Sequence, residues 1–374
     1  MGNNTSKKDF RALAVVANIW RNYSFIFIFV IIVIGYIITI NTTGKSFNWG
    51  HISAILASQN TVIVGTMALG MALVIITGQI DLSVGSGLVL CSGVTAIAFN
   101  ATNSIPLTIL AALFAGFVCG AINGIFVGIA HMPPFIVTLG TMLIYRSISL
   151  YFVRQIPPEL TGSSSSQFSM SSEDAAGNAI PQYETLRMQF GTGSLDLGII
   201  SIPYITFLFI ALVILFVIIS KNTKYGKSVY ATGSNEKAAH LAGINTQWVK
   251  ISVFIITGLM MGVAALIQIS KIGSVTPAQT GMSYEMYAIA AVVLGGINMA
   301  GGRGNMLGVL FGALSYTAIS FIIQSIPVFT PDIQNTFQGI VLILVILVQT
   351  AGPALRERFS RRRSVRKPDK AVTE

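Results

Sequence analysis

The sequence predicts an all-α integral membrane protein, a bundle of about ten transmembrane helices with both termini in the cytoplasm. Three observations predict it. Hydrophobic residues make up 53 % of the chain and charged residues only 10 %, with a mean hydropathy of +0.74. The apolar residues come in continuous runs, such as Phe25–Ile40, close to the roughly 20 residues that cross a bilayer as a helix. An outer-membrane barrel would instead alternate over segments of about ten residues. In lipid the backbone must satisfy its own hydrogen bonds, so these runs read as a helical bundle. Third, the basic residues gather on one side of that bundle, as counted below.

Taken in order, residues 1–22 are polar and basic and precede a full-length span. They read as a cytoplasmic N-terminal segment followed by an anchor, not a cleaved leader. Spans are expected at 23–41, 61–78, 82–101, 105–130, 135–153, 199–220, 250–270, 284–299, 305–326 and 334–351. His51–Asn60 suits a short helix lying at the interface. The span at 284–299 is short and glycine-ended, the mark of a broken or re-entrant helix. The transmembrane domain thus covers 23–351, followed by a basic cytoplasmic tail at 352–374. Its Arg356–Lys370 cluster suits orientation and contact with anionic headgroups. Alternating from a cytoplasmic N-terminus puts 18 of the 23 Lys and Arg residues inside, which is the positive-inside bias. Lys45, Arg146, Arg154, Arg187 and Lys271 fall at or beyond the outer face.

Two loops are large. The external segment 154–198 is rich in Ser and Gly, carries five acids and reads as a partly flexible, solvated loop. The cytoplasmic loop 221–250 carries five lysines and one acid, Glu236. At its centre, Glu236 to Gly243 is a helix-forming run closed by glycine, placed to dock another protein. Glycines recur every fourth residue at 116, 120, 124 and 128, and again at 304, 308 and 312. That spacing puts each set on one helix stripe, where neighbouring backbones approach closely. Cys91 and Cys119 fall inside apolar runs as small packing residues.

The most specific motif is Thr77-Gly78-Gln79-Ile80-Asp81-Leu82-Ser83-Val84-Gly85. It is expected in a tight cytoplasmic turn, with Asp81 as N-cap of the following helix. Acids at membrane depth are costly and usually have a task, so Gln79, Asp81 and Ser83 are also gate or pathway candidates. Asn123, Thr138, Thr141 and Asn298 join them as uncharged polar groups inside or ending spans, which serve as helix glue or line a polar path. The expected mid-span regions lack Asp, Glu, Lys and Arg. An ion-coupled carrier normally holds a buried charge there, and a neutral, hydroxylated cargo suits the pattern better.

Enzyme chemistry finds no support. His51, His131 and His240 are far apart without metal-ligand spacing. Gly226-Lys227-Ser228 resembles the end of a phosphate loop, but Lys221 stands where that motif needs glycine. No catalytic, cofactor or metal site is expected on this chain. If ATP drives the protein, another subunit binds it.

The chain resembles the permease subunits of bacterial ATP-binding-cassette importers for simple sugars. Four stretches carry the resemblance: Ile76–Gly85, Pro134–Thr141, Tyr225-Gly226 through Asn235–Ile244, and Glu285–Gly302 with Ala290-Ala291-Val292-Val293-Leu294-Gly295-Gly296. It implies a multi-pass protein of the bacterial inner membrane without cofactor of its own. It implies as partners two ATPase subunits, a second permease subunit, a periplasmic sugar-binding protein and the lipid bilayer, and no nucleic acid. It also implies that Glu236, Lys237, Ala238, Ala239, His240 and Gly243 form the helix that couples to the ATPase, with Glu236, Lys237 and His240 pairing across the contact. Nucleosides or branched-chain amino acids remain alternative cargoes, and an ion-coupled secondary transporter is the alternative of another class. The 154–198 segment is longer and richer in serine than the family pattern.

Overall fold

The computed structural model describes residues 24–44, 47–58, 60–163, 166–174, 176–198, 200–328 and scattered positions between 330 and 347. The N-terminal segment 1–22, most of the expected span 334–351 and the tail 352–374 lie outside the described residues. The helices, in chain order, are α1 Ser24–Thr42, α2 Trp49–Ala57, α3 Gly65–Ile76 after a π-helical turn at Asn60–Val64, α4 Val84–Thr102, α5 Ile105–Gly128 and α6 Pro134–Gln155. Then come α7 Pro158–Thr161, α8 Pro181–Phe190, α9 Tyr204–Asn222, α10 Lys224–Ser234, α11 Glu236–Leu241, α12 Thr246–Ile272, α13 Tyr284–Leu294 and α14 Met306–Ser325.

The all-α membrane fold holds, but the count of about ten spans does not carry over directly. Among the described residues seven helices, α1, α4, α5, α6, α9, α12 and α14, are long and apolar enough to cross a bilayer. An eighth forms if α2 and Asn60–Ile76, bent by 42° at their junction, are one span. The segment expected to be broken near 284–299 holds only α13, an 11-residue apolar helix, about 16 Å long at 1.5 Å per residue. That is half a crossing of the roughly 30 Å hydrocarbon layer.

The centre of the bundle is α3, all twelve of whose residues are buried. It packs against α12, α13, α14 and α9. The most extensive helix contact is α5 on α12, and the first glycine ladder makes it. Gly116 lies against the Gly258 carbonyl, Gly120 against Phe254, and Gly124 against Ile251, so no side chain separates the two backbones. The second ladder does the same for α14 and α13, with Gly308 and Gly312 against Gly295 and Ala291. The outer faces of α1, α5, α6 and α9 stay apolar and exposed, as Ile31, Phe114, Leu143 and Ile214 illustrate. That arrangement suits hydrocarbon on the outside.

At one end of the bundle, 154–198 departs from the expected solvated loop. β1 (Phe168–Ser169) pairs antiparallel with β4 (Ser274–Val275), and β2 (Ser194–Asp196) with β3 (Ser201–Pro203). Phe168 and Leu186 are fully buried in a second apolar cluster with Val89, Phe99 and Ile269. Asn100 on α4 donates to the carbonyls of Leu160 and Ser169, each at 2.9 Å, and accepts from the Ser171 amide. A few apolar anchors spaced among serines pin the segment, a pattern that composition alone averages away.

Candidate functional site

Three arrangements carry the chemistry, two at or near the other end of the bundle and one within it. The first is the exposed helix α11. Asn235 ends α10 and caps α11, its Oδ1 accepting from the Ala238 amide at 3.0 Å. Asn245 caps α12 the same way, accepting from the Trp248 amide at 3.1 Å. Between them Gly243 takes a φ of +85°, a left-handed conformation that glycine adopts without strain. Lys237, Ala238, His240 and Gly243 face outward. Ala239 instead turns inward and is buried. Glu236 is already paired with Lys250 at 2.6 Å, so it clips α11 to α12 and is not an unpaired charge awaiting a partner. Leu241, 87 % exposed, and Trp248, 64 % exposed, are apolar groups here that the charge pattern had hidden. Apolar residues inside a strongly polar loop were the available signal. Glu236, Lys237, His240, Leu241, Gly243 and His131 share an open depression of about 1110 Å³.

The second arrangement is a buried hydrogen-bond network. The polar side chains of the turn 77–83 point inward: Asp81 and Ser83 are fully buried and Gln79 nearly so, while Gly78 stays exposed. Helix α10 and the loop 298–304 cover it. Gly233 sits against the Ile76 carbonyl, Gly301 against Gly78, and the Gly302 amide donates to Ile76 O at 2.8 Å. Asp81 is not the N-cap either, since Ser83 occupies that position. The Asp81 carboxylate accepts from the Ser83 amide at 2.8 Å and from its hydroxyl at 2.6 Å. Asn123 on α5 donates to Ser83 Oγ at 2.8 Å and accepts from Thr141 on α6 at 2.7 Å. Every donation in this chain points toward the carboxylate. Thr138 lies nearby, 3.5 Å from the Ile80 carbonyl. Gln79 ends α3 through its amide, which donates to Val74 O at 3.0 Å, while its Oε1 is buried without a partner. Asn298 stands apart and closes its own loop, donating through its amide to Arg303 O and accepting from the Ala300 amide.

The third arrangement corrects the expectation of a charge-free interior. Arg146 does not lie at the outer face. It is the thirteenth of the 22 residues of α6, about 18 Å from the Pro134 end. Its Nη1 donates to the carbonyls of Pro277 and Thr280, both at 2.6 Å. These belong to the non-helical segment that leads from β4 into α13. Glu285, in the first turn of α13, shares with Arg146 and Ser86 a cavity of about 470 Å³. The expected span 135–153 itself holds Arg146 as its twelfth residue, well inside the span.

Comparison with known proteins bears on what these arrangements do. Residues 52–346 match the family model described as "Branched-chain amino acid transport system / permease component". The xylose transport system permease protein XylH of Escherichia coli K12 is 32 % identical, covering 87 % of this chain and 91 % of that protein. The autoinducer 2 import system permease protein LsrC of Salmonella typhimurium is also 32 % identical, covering 75 % of this chain and 73 % of that protein. No solved structure gave a significant match. The ion-coupled carrier is displaced by these findings. The chain belongs to the family of transport-system permease components: it is the membrane-embedded permease of an ATP-binding-cassette importer, works with ATPase and substrate-binding partners, and is not itself an enzyme.

Proposed function

We propose that this permease carries a neutral sugar across a bacterial inner membrane. A periplasmic binding protein delivers the sugar, and two ATPase subunits below a pair of permeases drive its passage. The names of the xylose and autoinducer 2 relatives support a small neutral cargo. The gathering of 18 of 23 basic residues on one side supports a cytoplasmic α11 end.

The observation that carries the ATPase role is the connection of α11 to the core. Helix α11 is capped at both ends and presents Lys237, His240 and Leu241 outward. Helix α10, directly before it, rests through Gly233 on the end of α3, and Tyr230 donates to the Gly304 carbonyl at 3.0 Å. A push on α11 therefore meets a chain of packed backbone that ends at the turn holding Asp81.

The test is uptake into vesicles holding the permease with its ATPase and binding-protein partners. ATP-dependent xylose or ribose entry is expected. Entry driven by an ion gradient without the ATPase would refute the reading. Leu241→Asp is expected to reduce ATPase co-purification by about tenfold, the loss of one buried apolar anchor, while the permease still inserts. The separately engineered Glu236→Lys breaks the clip to Lys250 and should weaken the same association.

A branched-chain amino acid is the second reading. The family description favours it. Leucine entry without sugar entry in the same vesicles would decide for it.

A further inference from the structure

We infer that the cavity between α4, α6 and the start of α13 is a binding station for a neutral, polyhydroxylated cargo, with Arg146 as donor, Glu285 as acceptor and Ser86 as a hydroxyl that serves as either. This rests on the sugar-importer reading and names the site inside it.

Four observations point there. The cavity measures about 470 Å³, within the roughly 300–1,000 Å³ of small-molecule sites. It lies where the chain is interrupted inside the bundle: α4 begins two residues before Ser86, and 276–283 is non-helical before α13. Interrupted backbone at membrane depth survives only where protein buries it or where it lines a polar cavity. Ser86 is 1 % exposed, and its hydroxyl has no hydrogen-bond partner although it lines this space. An unpartnered buried hydroxyl is rare enough to need an explanation; it sits just behind the wall of this space, so a visiting hydroxyl meets it once that wall shifts in the transport cycle.

The charges fit the same cargo. Glu285 reaches back to α4, where a Cβ at Gly85 would lie 2.7 Å from its Oε2. Arg146 is fixed by the Pro277 and Thr280 carbonyls, so its guanidinium is oriented before anything binds. The two opposite charges leave the site without net charge. A sugar hydroxyl donates and accepts at once and meets both groups without bringing a charge of its own into the membrane. A zwitterion would carry two charges there, each with a desolvation cost. Met142 and Leu150 form the apolar wall, against which the C–H faces of a pyranose or furanose ring pack, and the exposed Leu143 and Met282 stand at its open mouth.

The test uses the complete transporter, with its ATPase and binding protein, in proteoliposomes. The probes are D-xylose, D-ribose, D-galactose and, as the zwitterion, L-leucine. Glu285→Gln and Ser86→Ala keep shape while removing an acceptor and a hydroxyl. Each is expected to lower the initial rate for the transported sugar about tenfold, the size of one lost strong hydrogen bond. Independently, Ser86→Cys should react with a water-soluble thiol reagent. The transported sugar should slow that reaction roughly threefold at twice its half-saturating concentration, by mass action. The wild-type protein provides the background from Cys91 and Cys119. Sugar uptake at the wild-type rate in both variants, or a Ser86→Cys reaction that sugar does not slow, overturns the station while leaving the sugar-importer reading standing. Wild-type uptake of leucine and of no sugar overturns that reading, and the station for a neutral cargo with it.

Discussion

Asn123 uses both ends of its amide to hold α4 and α6 to one point. It lies 40 residues from Ser83 and 18 from Thr141. Removing it takes one buried hydrogen bond from each side, leaving Ser83 only Asp81 and Thr141 only the Thr138 carbonyl. Asn123→Ala is therefore expected to cost about 1–3 kcal/mol, read as a lowered melting midpoint of the purified permease in detergent. An unchanged midpoint would show that the network adds nothing to stability. At the opposite end Asp174 accepts from the Ala176 and Asn178 amides and from the Asn178 side chain. Those donors, the Asn178 backbone first, hold its carboxyl below the usual carboxylate value. A depressed native pKa stabilises the turn above the unfolded value near 4 and is lost only as pH falls through the lower native one. A carbon-detected NMR titration of Asp174 should thus give a midpoint below about 4, and a midpoint at or above it would refute this. The types of these residues were legible in the sequence. Asp81, Ser83, Asn123, Thr138 and Thr141 stood out as polar groups among apolar ones, and the structure brings them together. Asn298 matched the same description but lies in a separate loop, because residue type says nothing about which helix face meets which.

Among elements, the glycine stripes had a clear sequence signature, and the structure supplies their partners. A Cβ on Gly258 would meet the Gly116 carbonyl and the backbone of Gly120. Gly258→Val should therefore separate α5 from α12 and cost at least the ~1–3 kcal/mol of overpacking, seen as loss of monodisperse protein after extraction. Gly140 on α6 is the contrast. A Cβ there meets nothing within 4 Å, and alanine is favoured over glycine in a helix by about 0.5–1 kcal/mol. Gly140→Ala should extract with an equal or raised melting midpoint, and a fall would mean that this face is packed in the assembled complex. The half-length α13 was anticipated as a broken span, but its consequence was not. Hydropathy averages over a window, so it cannot reveal where along the membrane normal a short helix starts. Arg146 was placed at the outer face although 135–153 holds it mid-span, and the structure sets it in one cavity with Glu285.

For the whole molecule, transport requires that α11 and the interior move together. One route between them runs through Gly233 against Ile76, Gly301 against Gly78 and a hydrogen bond from Gly302, beside the Glu236–Lys250 clip that joins α11 to α12. Gly233→Val should wedge α10 away from α3. ATPase association, which depends on the exposed face of α11, is expected to persist while coupled uptake falls by about tenfold or more. Uptake at the wild-type rate would place the coupling route elsewhere. The length and spacing of the apolar runs by themselves determined that this protein is a helical membrane bundle. Those properties are local: each span satisfies its own backbone, and each needs roughly 20 apolar residues to do so. The run from Glu236 to Gly243 likewise showed itself as a short helix, through its helix-forming residues and its closing glycine. Only the tertiary structure decided that Ser86, Arg146 and Glu285, widely separated in the chain, line one cavity, and that Glu236 is already bound to Lys250. Side-chain meetings of that kind depend on helix rotation and relative depth, and in this bundle those are set by close backbone contact at Gly116, Gly258 and Gly308, since hydropathy is the same all along the stripe.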